Sequence, residues 1–128
     1  MYNIHEFKIN HDGSIDTNQS VYLINMNLDK IPIKFNKVNG NFNCSNNKLT
    51  TLENSPKIVV THFLCDNNLL IDLKHSPDSI GGFFQCDNNP LKSLDGYNCS
   101  MDRLYYNGMT KLIRKEKFKK ILDDRYWW

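Results

Sequence analysis

The phrases FNCSNNKLTTL from Phe42, FLCDNNLLIDL from Phe63 and FQCDNNPLKSL from Phe84 place Cys44, Cys65 and Cys86 at a constant spacing of 21 residues. A fixed period of about 20–50 residues marks a chain that stacks one small unit on the next, because a single unit cannot bury its own apolar face. The core of such a chain is a column of equivalent side chains. This repeat therefore predicts a short solenoid.

Superimposing the units puts Phe42, Phe63 and Phe84 in one column, Leu49, Leu70 and Leu91 in another, and Leu52, Leu73 and Leu94 in a third. Between these apolar columns run Asn46, Asn67 and Asn88, and beside them Asn47, Asn68 and Asn89. A buried amide left unpaired costs on the order of 1–3 kcal/mol. An asparagine repeated at every turn can instead donate to and accept from the backbone of its own turn and the next. Ser55-Pro56 and Ser76-Pro77 mark the returning arm, where proline favours extended or turn geometry.

The chain has 128 residues and is 40% hydrophobic, which suits one domain with a modest core. A net charge of +2 gives no whole-protein argument for nucleic acid or an anionic membrane. The charge is unevenly spread, however. Residues 109–128 carry Lys111, Arg114, Lys115, Lys117, Lys119, Lys120 and Arg125 against Glu116, Asp123 and Asp124. No stretch approaches the roughly 18 apolar residues of a membrane span, and the first residues lack the basic-then-apolar order of a signal peptide. A cytoplasmic location is the expectation.

Of the four cysteines, three are locked to the repeat and none forms a Cys-x-x-Cys pair, so neither a metal site nor a disulfide framework is expected. Cys44, Cys65 and Cys86 read as small buried apolar groups. Cys99 lies off the repeat.

In Val60, Phe63, Cys65, Asn68 and Leu70 the middle unit resembles the leucine-rich repeat family, whose pattern is leucine-x-x-leucine-x-leucine-x-x-asparagine-x-leucine. The flanking units keep Phe42, Cys44, Asn47, Leu49 and Phe84, Cys86, Asn89, Leu91, but carry Asn39 and Gly81 at the first landmark. The short period and Ser-Pro element look like the compact repeats of secreted bacterial effectors and of small phage-encoded proteins. Weakened copies extend to Val21, Leu23, Leu28 and Ile31 on one side and to Tyr105, Asn107 and Leu112 on the other.

The resulting expectation is an α/β-type repeat solenoid, a single leucine-rich-repeat domain over 1–128. Its repeats span 21–108, as parallel strands with irregular return arms. Residues 1–20 form an N-terminal β cap, with a hairpin turning at His11-Asp12-Gly13. Residues 109–128 form a basic C-terminal helix with Thr110 as its N-cap.

The resemblance implies an open concave surface made by the residues between the inward landmarks. One outward column is then Ser20, Asn41, His62, Phe83 and Leu104; the next is Tyr22, Asn43, Leu64, Gln85 and Tyr106; the third is Ile24, Ser45, Asp66, Asp87 and Gly108. Contiguous exposed apolar groups usually mark a partner surface. The candidate binding residues are accordingly His62, Leu64, Asp66, Phe83, Gln85, Asp87, Leu104 and Tyr106.

The adjacent Asp66 and Asp87 could share a proton or a cation, but a repeat produces paired carboxylates without any catalytic purpose, and no phosphate loop or nucleophile elbow occurs. The expectation is a non-enzymatic protein-binding module without cofactor, metal or membrane contact, and self-association is open to it. Likeness to phage-encoded repeats implies that the partner is a host defence or regulatory protein, inhibited in the host cytosol. The alternative is nucleic-acid binding by Lys115, Lys119, Arg125, Trp127 and Trp128, where basic and aromatic groups could meet phosphates and bases.

Overall fold

The computed structural model describes residues 4–112. Each turn contributes two short strands. The first sheet contains β1 (Phe7–Ile9), β2 (Ile15–Thr17), β4 (Phe35–Val38), β6 (Ile58–Val59) and β8 (Ser79–Ile80). The second contains β3 (Val21–Tyr22), β5 (Phe42–Asn43), β7 (Phe63–Leu64), β9 (Phe84–Gln85) and β10 (Leu104–Tyr105). Every pairing is parallel except that of β1 with β2.

The chain thus forms a β-solenoid of about four turns. In each turn it leaves the first sheet, passes a short corner such as 39–41, enters the second sheet and returns along an irregular arm. The arms at 44–57 and 65–78 contain turns and bends but no helix, so the α/β character expected of the repeats is not found there. The first-sheet strand of each turn escapes detection in the sequence because Ile58–Val59 and Ser79–Ile80 are too short to display an alternating pattern.

Stacked rings fill the core. The Phe42 and Phe63 rings lie 5.4 Å apart and those of Phe63 and Phe84 4.8 Å apart, nearly parallel and close to the strand spacing of about 4.8 Å. Phe35 and Tyr97 close the column edge-on at its two ends, each about 5 Å from the neighbouring ring. Val38, Val59 and Ile80 supply the inward column of the first sheet, and Leu49, Leu52, Leu70, Leu73 and Leu91 pack behind the rings from the arms.

The two asparagine columns have separate tasks. Asn46, Asn67 and Asn88 adopt φ of 59°, 55° and 56°, the left-handed turn conformation that asparagine tolerates better than most residues. Asn68 is buried: its Oδ1 accepts from the Leu49 N–H, and its Nδ2 donates to the carbonyls of Cys44, Cys65 and Asp66. Asn89 repeats this one turn later with Leu70, Cys65, Cys86 and Asp87. Asn47 does so one turn earlier, accepting from the N–H groups of Met26 and Leu28.

The last turn is one residue shorter than the repeat. A strict 21-residue spacing sets Leu104 outward beside Phe83 and Tyr106 beside Gln85; instead Leu104 pairs with Phe84 and Tyr105 with Gln85. Leu104 is therefore buried, at 9% exposure, and Tyr105 is exposed. The physical reason is side-chain chemistry: the shift brings leucine into the phenylalanine column, while the neighbouring tyrosine keeps its hydroxyl in water. Tyr106 also turns inward, donating its hydroxyl to the Asn89 carbonyl at 2.8 Å.

At the N-terminal side, the turn closed by Asn10 N–H to Ser14 O and Gly13 N–H to Asn10 O joins β1 to β2 as an antiparallel pair. Helical backbone begins at residue 109, so Thr110 lies inside the helix instead of capping it. The rest of the basic 109–128 segment lies outside the described residues, among which no helix is long and apolar enough to cross a membrane.

Replacing Asn68 by Ala strands buried backbone groups on two turns and is expected to cost at least about 3 kcal/mol in urea unfolding. Asn46→Gly, at an exposed left-handed position, should stay within about 0.5 kcal/mol of wild type. A second contrast tests the arms. The Ser76 hydroxyl donates to the Gly96 carbonyl at 2.7 Å, whereas the buried Ser55 hydroxyl has no protein partner. Ser76→Ala should therefore cost about 1 kcal/mol in the same assay, and Ser55→Ala little or nothing.

Candidate functional site

The outward face of the second sheet has three columns. The first runs Ser20, Asn41, His62, Phe83 and Arg103, and its side chains link successive turns. Ser20 Oγ accepts from the Asn41 N–H, Asn41 Oδ1 from the His62 N–H, and His62 Nδ1 from the Phe83 N–H. These acceptors serve backbone donors that lie just before the two-residue strands begin. His62 also lies against Phe83, with ring centroids 3.8 Å apart, and the edge of Tyr105 meets Phe83 at 5.5 Å.

The central column is Tyr22, Asn43, Leu64, Gln85 and Tyr105. Tyr22 and Tyr105 are about half exposed, and Leu64 and Gln85 are partly so. The third column caps the far ends of the strands. Ser45 Oγ accepts from the Asp66 N–H, Asp66 Oδ1 from the Asp87 N–H at 2.7 Å, and Asp87 Oδ1 from the Asn107 N–H at 2.7 Å. Gln85 Nε2 donates to the other Asp87 oxygen.

His62, Leu64, Asp66, Phe83, Gln85 and Asp87 therefore form one contiguous block on two adjacent turns. Leu104 and Tyr106 do not join it; Arg103, Tyr105 and Asn107 hold the corresponding outward places. Aligning Leu104 with the phenylalanine column, on the ground that it is the more apolar residue, would have located them. Lys115, Lys119, Arg125, Trp127 and Trp128 lie outside the described residues.

Burial dominates the chemistry of the groups beneath this face. It pushes the thiols of Cys44 and Cys86 up to about 12, and that of Cys65 well above its ordinary value, so all three are protonated apolar fillers. Cys44 Sγ and Cys86 Sγ donate weakly to the carbonyls of Leu64 and Tyr105. Partial burial raises the Asp66 carboxyl above the usual carboxylate range; the bond from the Asp87 N–H opposes this and the Asp87 charge adds to it. Each of the two aspartates spends an oxygen on the next turn's backbone. Among the described residues no group of three or more His, Cys, Asp or Glu side chains is arranged to hold a metal ion.

A carboxyl held above its unfolded value favours folding most when protonated, and that contribution is lost as pH rises through its folded value. Asp66→Asn retains an amide oxygen for the Asp87 N–H while removing the charge. It should raise the melting temperature at pH 7, and the gain over wild type should vanish below about pH 4, where aspartates are protonated in the unfolded chain as well. Thermal unfolding followed by circular dichroism across pH checks this. Compared with protein-family models, curated proteins and solved structures, the chain matches none.

Proposed function

We propose that the chain is a non-enzymatic protein-binding module, and that the outward face of the second sheet is the surface it presents. One observation carries this reading: on a face whose flanking polar side chains are engaged with the protein's own backbone, Phe83 packs against Tyr105 and His62, and Leu64 and Tyr22 expose apolar surface in the central column, spaced by Asn43 and Gln85. Preordered aromatic groups such as Phe83 bind proteins with little entropic cost, and few such residues dominate the affinity.

The leucine-rich-repeat resemblance supports the same choice of face, since that pattern reserves the residues between the inward landmarks for a partner. With the likeness to phage-type repeats, it favours a host defence or regulatory protein as the target, inhibited by occupation of its surface. Aromatic and aliphatic centres flanked by Asp66 and Asp87 on one side and Arg103 on the other suit a partner with a complementary apolar patch and a mixed-charge rim.

Affinity capture by the immobilised chain from host cytosol, read by mass spectrometry, should recover one dominant protein. The double variant Leu64→Asp with Tyr105→Ser should weaken that complex about 30-fold or more, given a hot-spot loss of about 2 kcal/mol at even one of the two positions. Its circular dichroism and melting temperature should match wild type. Undiminished capture by the double variant would exclude this face.

A further inference from the structure

We propose that the chain pairs with a second copy of itself through the open edge of β1, across a two-fold axis at Phe7. The ladder between β1 and β2 identifies which backbone groups are open. Asn18 N–H donates to Glu6 O and Asn10 N–H to Ser14 O, so the bonded positions of β1 alternate through residues 6, 8 and 10. The partners of residues 7 and 9 confirm the alternation: Ile15 N–H bonds to Lys34 O, and Thr17 O accepts from Asn39 N–H, both on the side away from β1. The N–H and C=O of Phe7 and Ile9 consequently face outward along the edge of the first sheet.

Such an edge is a template for strand addition, and Lys8 is the one charged side chain within β1 that could blunt it. No proline or bulge interrupts Phe7–Ile9, and Phe7 and Ile9 are 53% and 66% exposed. Their side chains share the face of Thr17 and Ile15, which belongs to the core in β2. A neighbouring strand would bury apolar surface that this chain leaves in water.

Charge selects the occupant. In an antiparallel pair centred on Phe7, Phe7 faces its symmetry mate, Glu6 faces Lys8 of the second copy, and Lys8 faces Glu6. The segment is its own electrostatic complement, and each opposite-charge pair across strands is favourable. Phe7 N–H and C=O bond reciprocally to their mates, while the chain bends at Glu6 and turns the His5 and Glu6 N–H groups together toward Gln19 Oε1, so the new ladder stops there. The alternative register centred on Lys8 brings the two lysines face to face and is disfavoured. The contact is isologous and closes at two copies, joining two five-stranded sheets into one.

Sedimentation equilibrium over roughly micromolar to millimolar protein tests this. The wild-type chain should approach twice its monomer mass. Glu6→Lys and Lys8→Glu should each weaken the dimer about tenfold or more, because each variant makes both cross-axis pairs repulsive. Mixing the two variants should restore it, since the mixed pair has complementary charges at both positions. Amide exchange at Phe7 in the wild-type chain should slow as its concentration rises, a readout that needs no substitution. A wild-type monomer at all concentrations would overturn the proposal and make Lys8 a guard of the edge. Dimers unaffected by either variant, no recovery on mixing, or assemblies beyond two copies would overturn it equally.

Discussion

The buried amide of each ladder asparagine is the constraint on which the remaining architecture depends. Strands of two residues form few ladder bonds, and the chain then bends into an arm whose own backbone groups point into the interior. Without Asn47, Asn68 and Asn89 those groups would be dry and unpaired, at on the order of 1–3 kcal/mol each. Asparagine suits the position because one side chain offers both an acceptor and two donors at fixed geometry. Aspartate would lack the donors, and leucine would lack both. The neighbouring left-handed asparagine turns the chain so that this amide can point inward. Each Asn-Asn pair is thus one device with two parts.

The same economy governs the outward face. Short strands leave N–H groups unserved at both ends, and the columns Ser20–Asn41–His62 and Ser45–Asp66–Asp87 supply oxygen or nitrogen acceptors to the turn that follows. A histidine and two aspartates that resemble chemical machinery in the sequence are thereby occupied with backbone. What remains available is the central column and the rings, Tyr22, Leu64, Phe83 and Tyr105. His62 holds Phe83 from beneath by stacking and binds its N–H, so this part of the face is ordered before any partner arrives.

The inward columns were legible because period and apolarity coincide at Phe42, Phe63 and Phe84. The amide ladder was legible because an invariant polar residue inside a solenoid must bond along the stack. The first sheet was not, since Val38, Val59 and Ile80 recur at the period but sit in strands too short to alternate. The outermost turn misled for a different reason. Its spacing contracts by one residue, and only the preference of Leu104 over Tyr105 for the core restores the register. For the candidate site, placement of Leu64 and Phe83 followed from the columns, whereas the structural duties of His62 and Asp66 depend on backbone directions that no residue pattern records.

The two ends of the array solve the problem of termination differently. Within the stack, the carbonyls of Val38 and Val59 accept from the N–H groups of Val60 and Gly81, and those of Gly40 and Thr61 accept from Thr61 and Gly82. The next members of these series are the carbonyls of Ile80 and Gly82, which have no further corner above them among the described residues. Arg103 takes its place: one guanidinium nitrogen reaches the carbonyls of Ile80, Gly81 and Gly82 at 3.2, 2.6 and 2.9 Å. A side chain so replaces the backbone donors of an absent turn, and its charge strengthens each bond. Gly81 and Gly82 permit this packing, because a Cβ at either would strike the preceding corner at Val60 O or His62 Nδ1. At the opposite end of the first sheet, reversal of strand direction at β1 stops the parallel series but leaves the edge groups of Phe7 and Ile9 without a partner among the described residues. Of the two ends of that sheet, one is closed by chemistry and the other only by topology, and an edge closed only by topology retains its capacity to bond.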